Sequence, residues 1–232
     1  MEEKVSRECI LSDEVDVIID VADASSLERN LYLTLQLIEL GKPVILALNM
    51  MDIVEERGME IDLHRLPEML GIPVIPVSAR KKTGLSILMH AVAHHKDVLH
   101  QDPLIHHHPG LHSKHRHDHH AEYTMVYTDD IEDKIDILIE RITHTYPDFP
   151  NKRWLAIKYL EKDTSASEQW PLDTSDILDC SYEKDLINQK YDFIEEIIGE
   201  TLVNKSSREE RTDRIDRWLT GKYTGLPIFL LI

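Results

Sequence analysis

Two periods of apolar and polar positions alternate along the first hundred residues. Asp16–Val21 (Asp-Val-Ile-Ile-Asp-Val) reads as a strand ending at Ala22-Asp23-Ala24. Ser25, three residues ahead of Glu28, predicts a capping box. The helix it opens repeats Leu27, Leu31, Leu35 and Ile38 at helical spacing, and Gly41 closes it before Pro43. Val44–Leu48 is apolar at every position, as in a strand buried on both faces. Ile61–Leu70 reads as a helix stopped by Gly71, Val74–Val77 as a third strand, and Leu85–His95 as a helix after Gly84. Residues 1–11 read as the end of an amphipathic helix, with Val5, Cys9 and Ile10 apolar. Strands alternating with helices at this spacing predict a parallel sheet with crossover connections. Residues 12–96 are thus expected to form the second half of a doubly wound α/β domain.

The period then changes. Residues 97–121 are low in complexity and rich in histidine, and cannot form a core. From Asp129 the pattern is helical, with Ile131, Ile135, Leu138, Ile139 and Ile142 forming a stripe that ends before Pro147 and Pro150. Trp154–Glu161 predicts a second helix. Glu183–Gly199 predicts a third, with Leu186, Ile187, Phe193, Ile194, Ile197 and Ile198 inside, and about Arg208–Leu219 a fourth. Trp154, Tyr159, Tyr191 and Phe193 are expected to be core packing. The final run Leu226–Ile232 is too short for a membrane span, which needs about 20 apolar residues. It reads equally as a packed tail or as the first turns of a span, with Arg217, Trp218, Lys222 and Tyr223 at the interface.

Composition narrows the classes. At 232 residues there is room for two modest domains, and a formal net charge of −17 argues against a nucleic-acid partner. Cys9 and Cys180 form no disulfide or metal framework and fit a reduced compartment. The polar opening Met1-Glu2-Glu3-Lys4 is unlike a signal peptide.

The chemistry lies where the apolar run meets Asn49-Met50-Met51-Asp52. Asn-x-x-Asp after a buried strand puts an amide and a carboxylate at the carboxyl edge of the sheet, where ligands of open α/β folds bind. That pair suits guanine: Asp52 can accept from the ring N–H and the exocyclic amine, while Asn49 braces the loop. Ser78 and Ala79, after the next strand, would offer a backbone N–H to the guanine carbonyl. The phosphate half is missing, because no Gly-x-x-x-x-Gly-Lys-[Ser/Thr] and no Asp-x-x-Gly occur. A second constellation is His106, His107, His108, His112, His115, His117, His119 and His120. Imidazoles suit borderline divalent metals, but the spacing is irregular and does not describe one tetrahedral site.

Asp23-Ala24-Ser25-Ser26-Leu27-Glu28-Arg29-Asn30-Leu31 followed by Ala47-Leu48-Asn49-Met50-Met51-Asp52 closely resembles the G domain of the ferrous iron transport protein B family. Met50 stands where most G domains carry Lys, as in that family. Arg153–Lys158 and Tyr191–Ile194 resemble its helical spacer domain, and Gly225–Leu231 the entry to its first membrane helix. The resemblance implies a Ras-like partial G domain over 1–96, beginning just after switch II, and the His-rich insert over 97–121. A small all-α helical domain over 122–220 and a truncated membrane helix over 221–232 would follow. It further implies GTP or GDP as ligand, with Asn49, Met50, Asp52, Ser78, Ala79 and Arg80 lining the base, at the cytoplasmic face of a prokaryotic inner membrane. The expected partners are the phosphate-loop half of the G domain and the membrane domain, and the spacer would tune nucleotide affinity. Alone, the chain is expected to hydrolyse no GTP and to self-associate through an exposed sheet. The competing readings are a His-rich metal-binding or regulatory module and a non-catalytic interaction protein, neither with a nucleotide role.

Overall fold

The computed structural model describes Ile10, residues 14–95 and residues 125–203. The amphipathic helix end at 1–11 (Ile10 apart), the His-rich segment, the helix about Arg208–Leu219 and the apolar tail lie outside the described residues.

Strand β1 (Ile18–Asp23) leads through a short 3-10 turn (Ala24–Ser26) into helix α1 (Leu27–Glu39). Then follow β2 (Val44–Asn49), α2 (Met51–Glu56), β3 (Glu60–Ile61), α3 (Arg65–Leu70), β4 (Val74–Pro76) and α4 (Leu85–Ala93). The main sheet is parallel, ordered β1-β2-β4, with Ile18 opposite Val44 and Leu46 opposite Val74. β2 is central, and its first five residues are buried, which is why it is apolar throughout. The expected α/β class with a following helical unit is what the chain adopts.

The helical part comprises α5 (Asp129–Thr145), α6 (Lys152–Leu160), α7 (Thr164–Gln169) and α8 (Glu183–Thr201), closed by β5 (Leu202–Val203). Ile131, Ile135, Leu138 and Ile142 of α5 pack on α6, where every residue from Trp154 to Leu160 is buried. Asn151 caps α6 by accepting from the Trp154 N–H at 2.9 Å.

The two parts share a core. Phe193, Ile194, Ile197 and Ile198 of α8 belong to the apolar cluster of β1, β2, α1 and α3. β5 pairs antiparallel with β3, Ile61 opposite Leu202, and Arg65 on α3 ion-pairs with Glu200 of α8 at 2.5 Å. A polar knot adds to this at the end of α1. Lys190 of α8 is 1% exposed and donates to Glu39 Oε2 at 2.8 Å, while the Tyr127 hydroxyl donates to Oε1. Asn151 donates to the Glu39 carbonyl at 2.7 Å.

Several local expectations change. The capping box does not form: Asp23 Oδ1 accepts from the Ser25 N–H at 2.8 Å, and Ser26 precedes α1 without a side-chain cap. A short carboxylate two residues back reaches the free amides before Glu28 can. The helix expected from Ile61 starts at Arg65, because Ile61 is in β3 and Asp62 Oδ1 accepts from the His64 and Arg65 N–H groups. Tyr191 is not core; it is 53% exposed and stacks on Tyr32 with centroids 5.2 Å apart.

One edge is bare. Among the described residues β1 pairs only with β2, and Ile19 and Val21 on it are 41% and 62% exposed. α4 buries none of its residues, and Ile87 and Met89 stand in solvent.

Candidate functional site

The site is assembled by three turns at the carboxyl edge of the sheet. β2 ends at Asn49, and Met50 takes a left-handed conformation (φ 63°) that turns the chain into α2. An unbranched side chain tolerates that geometry at a cost, so the conformation marks a turn held by its surroundings. α2 starts one residue later and places Asp52 in its first turn, where the helix dipole favours negative charge.

β4 supplies the other wall. Val77 N–H donates to the Leu48 carbonyl at 2.8 Å, and Ser78 and Thr83 exchange two backbone hydrogen bonds of 3.1 Å. The loop from Ser78 to Thr83 therefore folds back as a tight hairpin. Gly84 makes this possible: its φ is +77°, and a Cβ there would sit 2.2 Å from the Pro76 carbonyl oxygen.

Four side chains meet between these turns. Asp52 is 4% exposed, and its Oδ1 accepts from the Ser78 hydroxyl at 2.9 Å. Arg80 Nη2 lies 2.5 Å from Oδ2 and also donates to Glu56 at 2.9 Å. Oδ2 is buried against the Arg80 guanidinium, so both carboxylate oxygens have a polar neighbour. The Ser78 hydrogen bond first, and then the Arg80 charge, hold the Asp52 carboxyl below the usual carboxylate range. Asp52 is thus ionised and acceptor-only at neutral pH. Asn49 Oδ1 accepts from the Ala79 N–H at 3.1 Å, tying the end of β2 to the hairpin. Met50 is 43% exposed at the rim.

All six residues named from the sequence, Asn49, Met50, Asp52, Ser78, Ala79 and Arg80, are thereby brought to one edge. Glu56 was not among them. Its only sequence signal is a place four residues after Asp52, on the same helix face. The eight histidines from His106 to His120 lie outside the described residues. Among the described residues, no group of three or more His, Cys, Asp or Glu side chains is placed to hold a metal ion. No helix among them is long and apolar enough to cross a membrane.

A parallel α/β sheet with an Asn/Asp edge, joined to a helical unit, is the G-domain class with a helical appendage. Comparison with known proteins gives the particular family. The family model "Ferrous iron transport protein B" matches residues 1–92, and "FeoB cytosolic helical domain" matches residues 127–203. A GDP-bound S. thermophilus FeoB G-domain structure superposes with a TM-score of 0.72 at 32% identity, covering 87% of this chain and 75% of that one. The mGMPPNP-bound S. thermophilus protein gives 0.69 at 32% identity, covering 89% and 75%. The Fe(2+) transporter FeoB of Salmonella typhimurium is 31% identical over 245 residues, spanning all of this chain. This chain belongs to the FeoB family. It spans 28% of the length of that curated relative.

Proposed function

We propose that this chain supplies guanine-base recognition and the regulatory helical unit of a GTP-dependent ferrous iron uptake transporter at the cytoplasmic face of a prokaryotic inner membrane. The observation that carries the reading is Asp52: an ionised, buried carboxylate at the carboxyl edge of β2, with the Ser78 hydroxyl on one oxygen and the exposed Arg80 guanidinium on the other. Two acceptor oxygens match the ring N–H and exocyclic amine of guanine and mismatch adenine, which presents an acceptor there. Asn49 holds the hairpin against β2, Met50 lends an apolar surface to the purine face, and Arg80 closes the rim. GDP- and GMPPNP-bound relatives support the ligand class.

Ferrous iron is the cargo of that transporter and has no part in base recognition as proposed. The chain holds no phosphate loop, so its own contribution is base selection, with the phosphate contacts coming from the rest of the transporter. The helical unit is tied to α1 through Glu39, Lys190, Tyr127 and Asn151, which supports a role in tuning nucleotide affinity. The histidine-rich segment favours a second reading, cation binding by His106–His120 in a regulatory role independent of nucleotide.

Calorimetric titration with GDP, repeated with ADP and on Asp52→Ala, tests the proposal. Binding of GDP in the millimolar range, about −4 kcal/mol, that disappears in Asp52→Ala and is absent for ADP is expected. Equal binding of both nucleotides, or GDP binding untouched by the substitution, refutes base recognition by this edge.

A further inference from the structure

We propose that His90 and His94, one turn apart at the end of α4, form a two-imidazole acceptor for a borderline divalent transition-metal cation. Neither histidine belongs to the guanine edge or to the His106–His120 group.

The geometry carries it. Residues four apart share a helix face, and these two rings lie with centroids 4.2 Å apart, tilted by 35°. Both side chains are exposed, so a cation reaches them without displacing core. His94 Nδ1 lies 3.0 Å from the His90 carbonyl oxygen. A carbonyl only accepts, so Nδ1 carries the proton and Nε2 keeps its lone pair outward. Ligating histidines are typically fixed this way, with the second nitrogen donating to a carbonyl that sets tautomer and ring orientation. The His90 ring makes no hydrogen bond among the described residues, and is free to turn a nitrogen toward the same point. His94 is the C-cap of α4, so the site lies at the negative end of the helix, which favours a cation.

The donor set defines the ion class. Neutral imidazole suits zinc, copper, nickel and ferrous iron, whereas calcium and magnesium demand oxygen ligands. Two protein ligands leave the remaining coordination positions to water, so the site is one of exchange, not a structural clamp. Nothing in the base-reading edge uses either histidine.

The test uses the whole chain with His106, His107, His108, His112, His115, His117, His119 and His120 replaced by Asn, so that the pair is read without the tract. Zinc chloride is titrated by calorimetry and by long-range proton–nitrogen spectra of the imidazoles. One equivalent of zinc with a shifted His94 Nε2 resonance is expected. Loss of an orienting partner alone weakens metal affinity about 10- to 100-fold, so His94→Ala should weaken it at least as much. His144→Ala, on α5, should leave binding unchanged. No zinc uptake by the tract-substituted chain, or an affinity unchanged by His94→Ala, overturns the proposal. Both histidines are exposed, so the far-ultraviolet spectrum of each variant should match the parent and exclude misfolding as the cause.

Discussion

Replacing Lys190 with Met should weaken the whole fold far more than loss of an ordinary surface charge. Lys190 Nζ is 2.8 Å from Glu39 Oε2 and 3.8 Å from Glu161 Oε1, on a side chain 1% exposed. At an effective dielectric of about 20 the nearer contact is worth roughly 6 kcal/mol of attraction, most of it offset by desolvation of both charges. The pair therefore adds little net stability, but removing one member leaves the other uncompensated. Glu39 would then keep its charge against the Tyr127 hydroxyl alone, with an exposure of only 12%. Breaking a buried pair this way costs about 3–5 kcal/mol. That is a large share of the roughly 5–15 kcal/mol that holds a domain together. Urea unfolding of the parent, Lys190→Met, Glu39→Gln and the double variant measures it. Glu39→Gln keeps an acceptor for Tyr127 and removes the charge, so the double variant should recover much of the loss. A cost below about 1 kcal/mol for Lys190→Met, the value of an exposed pair, would refute the buried-knot argument.

Other outcomes follow from the same geometry. Gly84→Ala should destabilise by about 1–3 kcal/mol through its left-handed backbone alone, and more through the Cβ clash with Pro76, read as a lowered urea midpoint. Glu39 holds Lys190 protonated despite burial, and burial pushes the Tyr127 hydroxyl well up, so both folded values exceed the unfolded ones near 10.4 and 10. Their contributions are complete below about pH 10 and fall away above it, and Tyr127→Phe should flatten that alkaline decline. Asp176, held down to about 2 by the Arg141 hydrogen bonds, stabilises above about pH 4 and loses this as pH falls through 2, so Asp176→Asn should blunt acid unfolding in that window. The β1 edge, unpaired among the described residues, should drive self-association, and Val21→Lys should shift sedimentation toward monomer without loss of helical signal.

The elements legible from the sequence are those whose pattern is local. β2 is apolar at each position because both its faces are covered, and the same run places Asn49 and Asp52 at its end. The stripe of α5 and the Gly71 stop of α3 are local in the same sense. What stayed hidden depends on distant partners. β3 and β5 are two residues each and pair across 141 positions (61 to 202), so neither has a period to detect. α2 is six residues long and begins inside the motif that announced the site, too short to show a period of its own. Lys190 reads as a solvated charge until α8 is laid on α1, where Glu39 meets it.

Those hidden contacts change what the helical unit is. Had α8 packed only on α5 and α6, the chain would be two independent bodies joined by a linker. Its inner face instead supplies Phe193, Ile194, Ile197 and Ile198 to the core beneath β1 and β2, and β5 extends it into a clip on β3. Glu39 ends α1, and its backbone carbonyl is held by Asn151, the cap of α6. Gly41, two residues on, has φ +73° and sits where a Cβ would lie 2.5 Å from the Asn151 amide nitrogen, so the turn into β2 is moulded against the helical unit. β2 is the strand that ends in Asn49. A displacement of α6 or α8 would therefore bear on the amino end of the strand whose carboxyl end carries Asn49. Close-packed cores transmit such shifts as discrete rearrangements, so on the proposed reading the helical unit would have a mechanical route to the Asn49–Asp52 edge through packing alone.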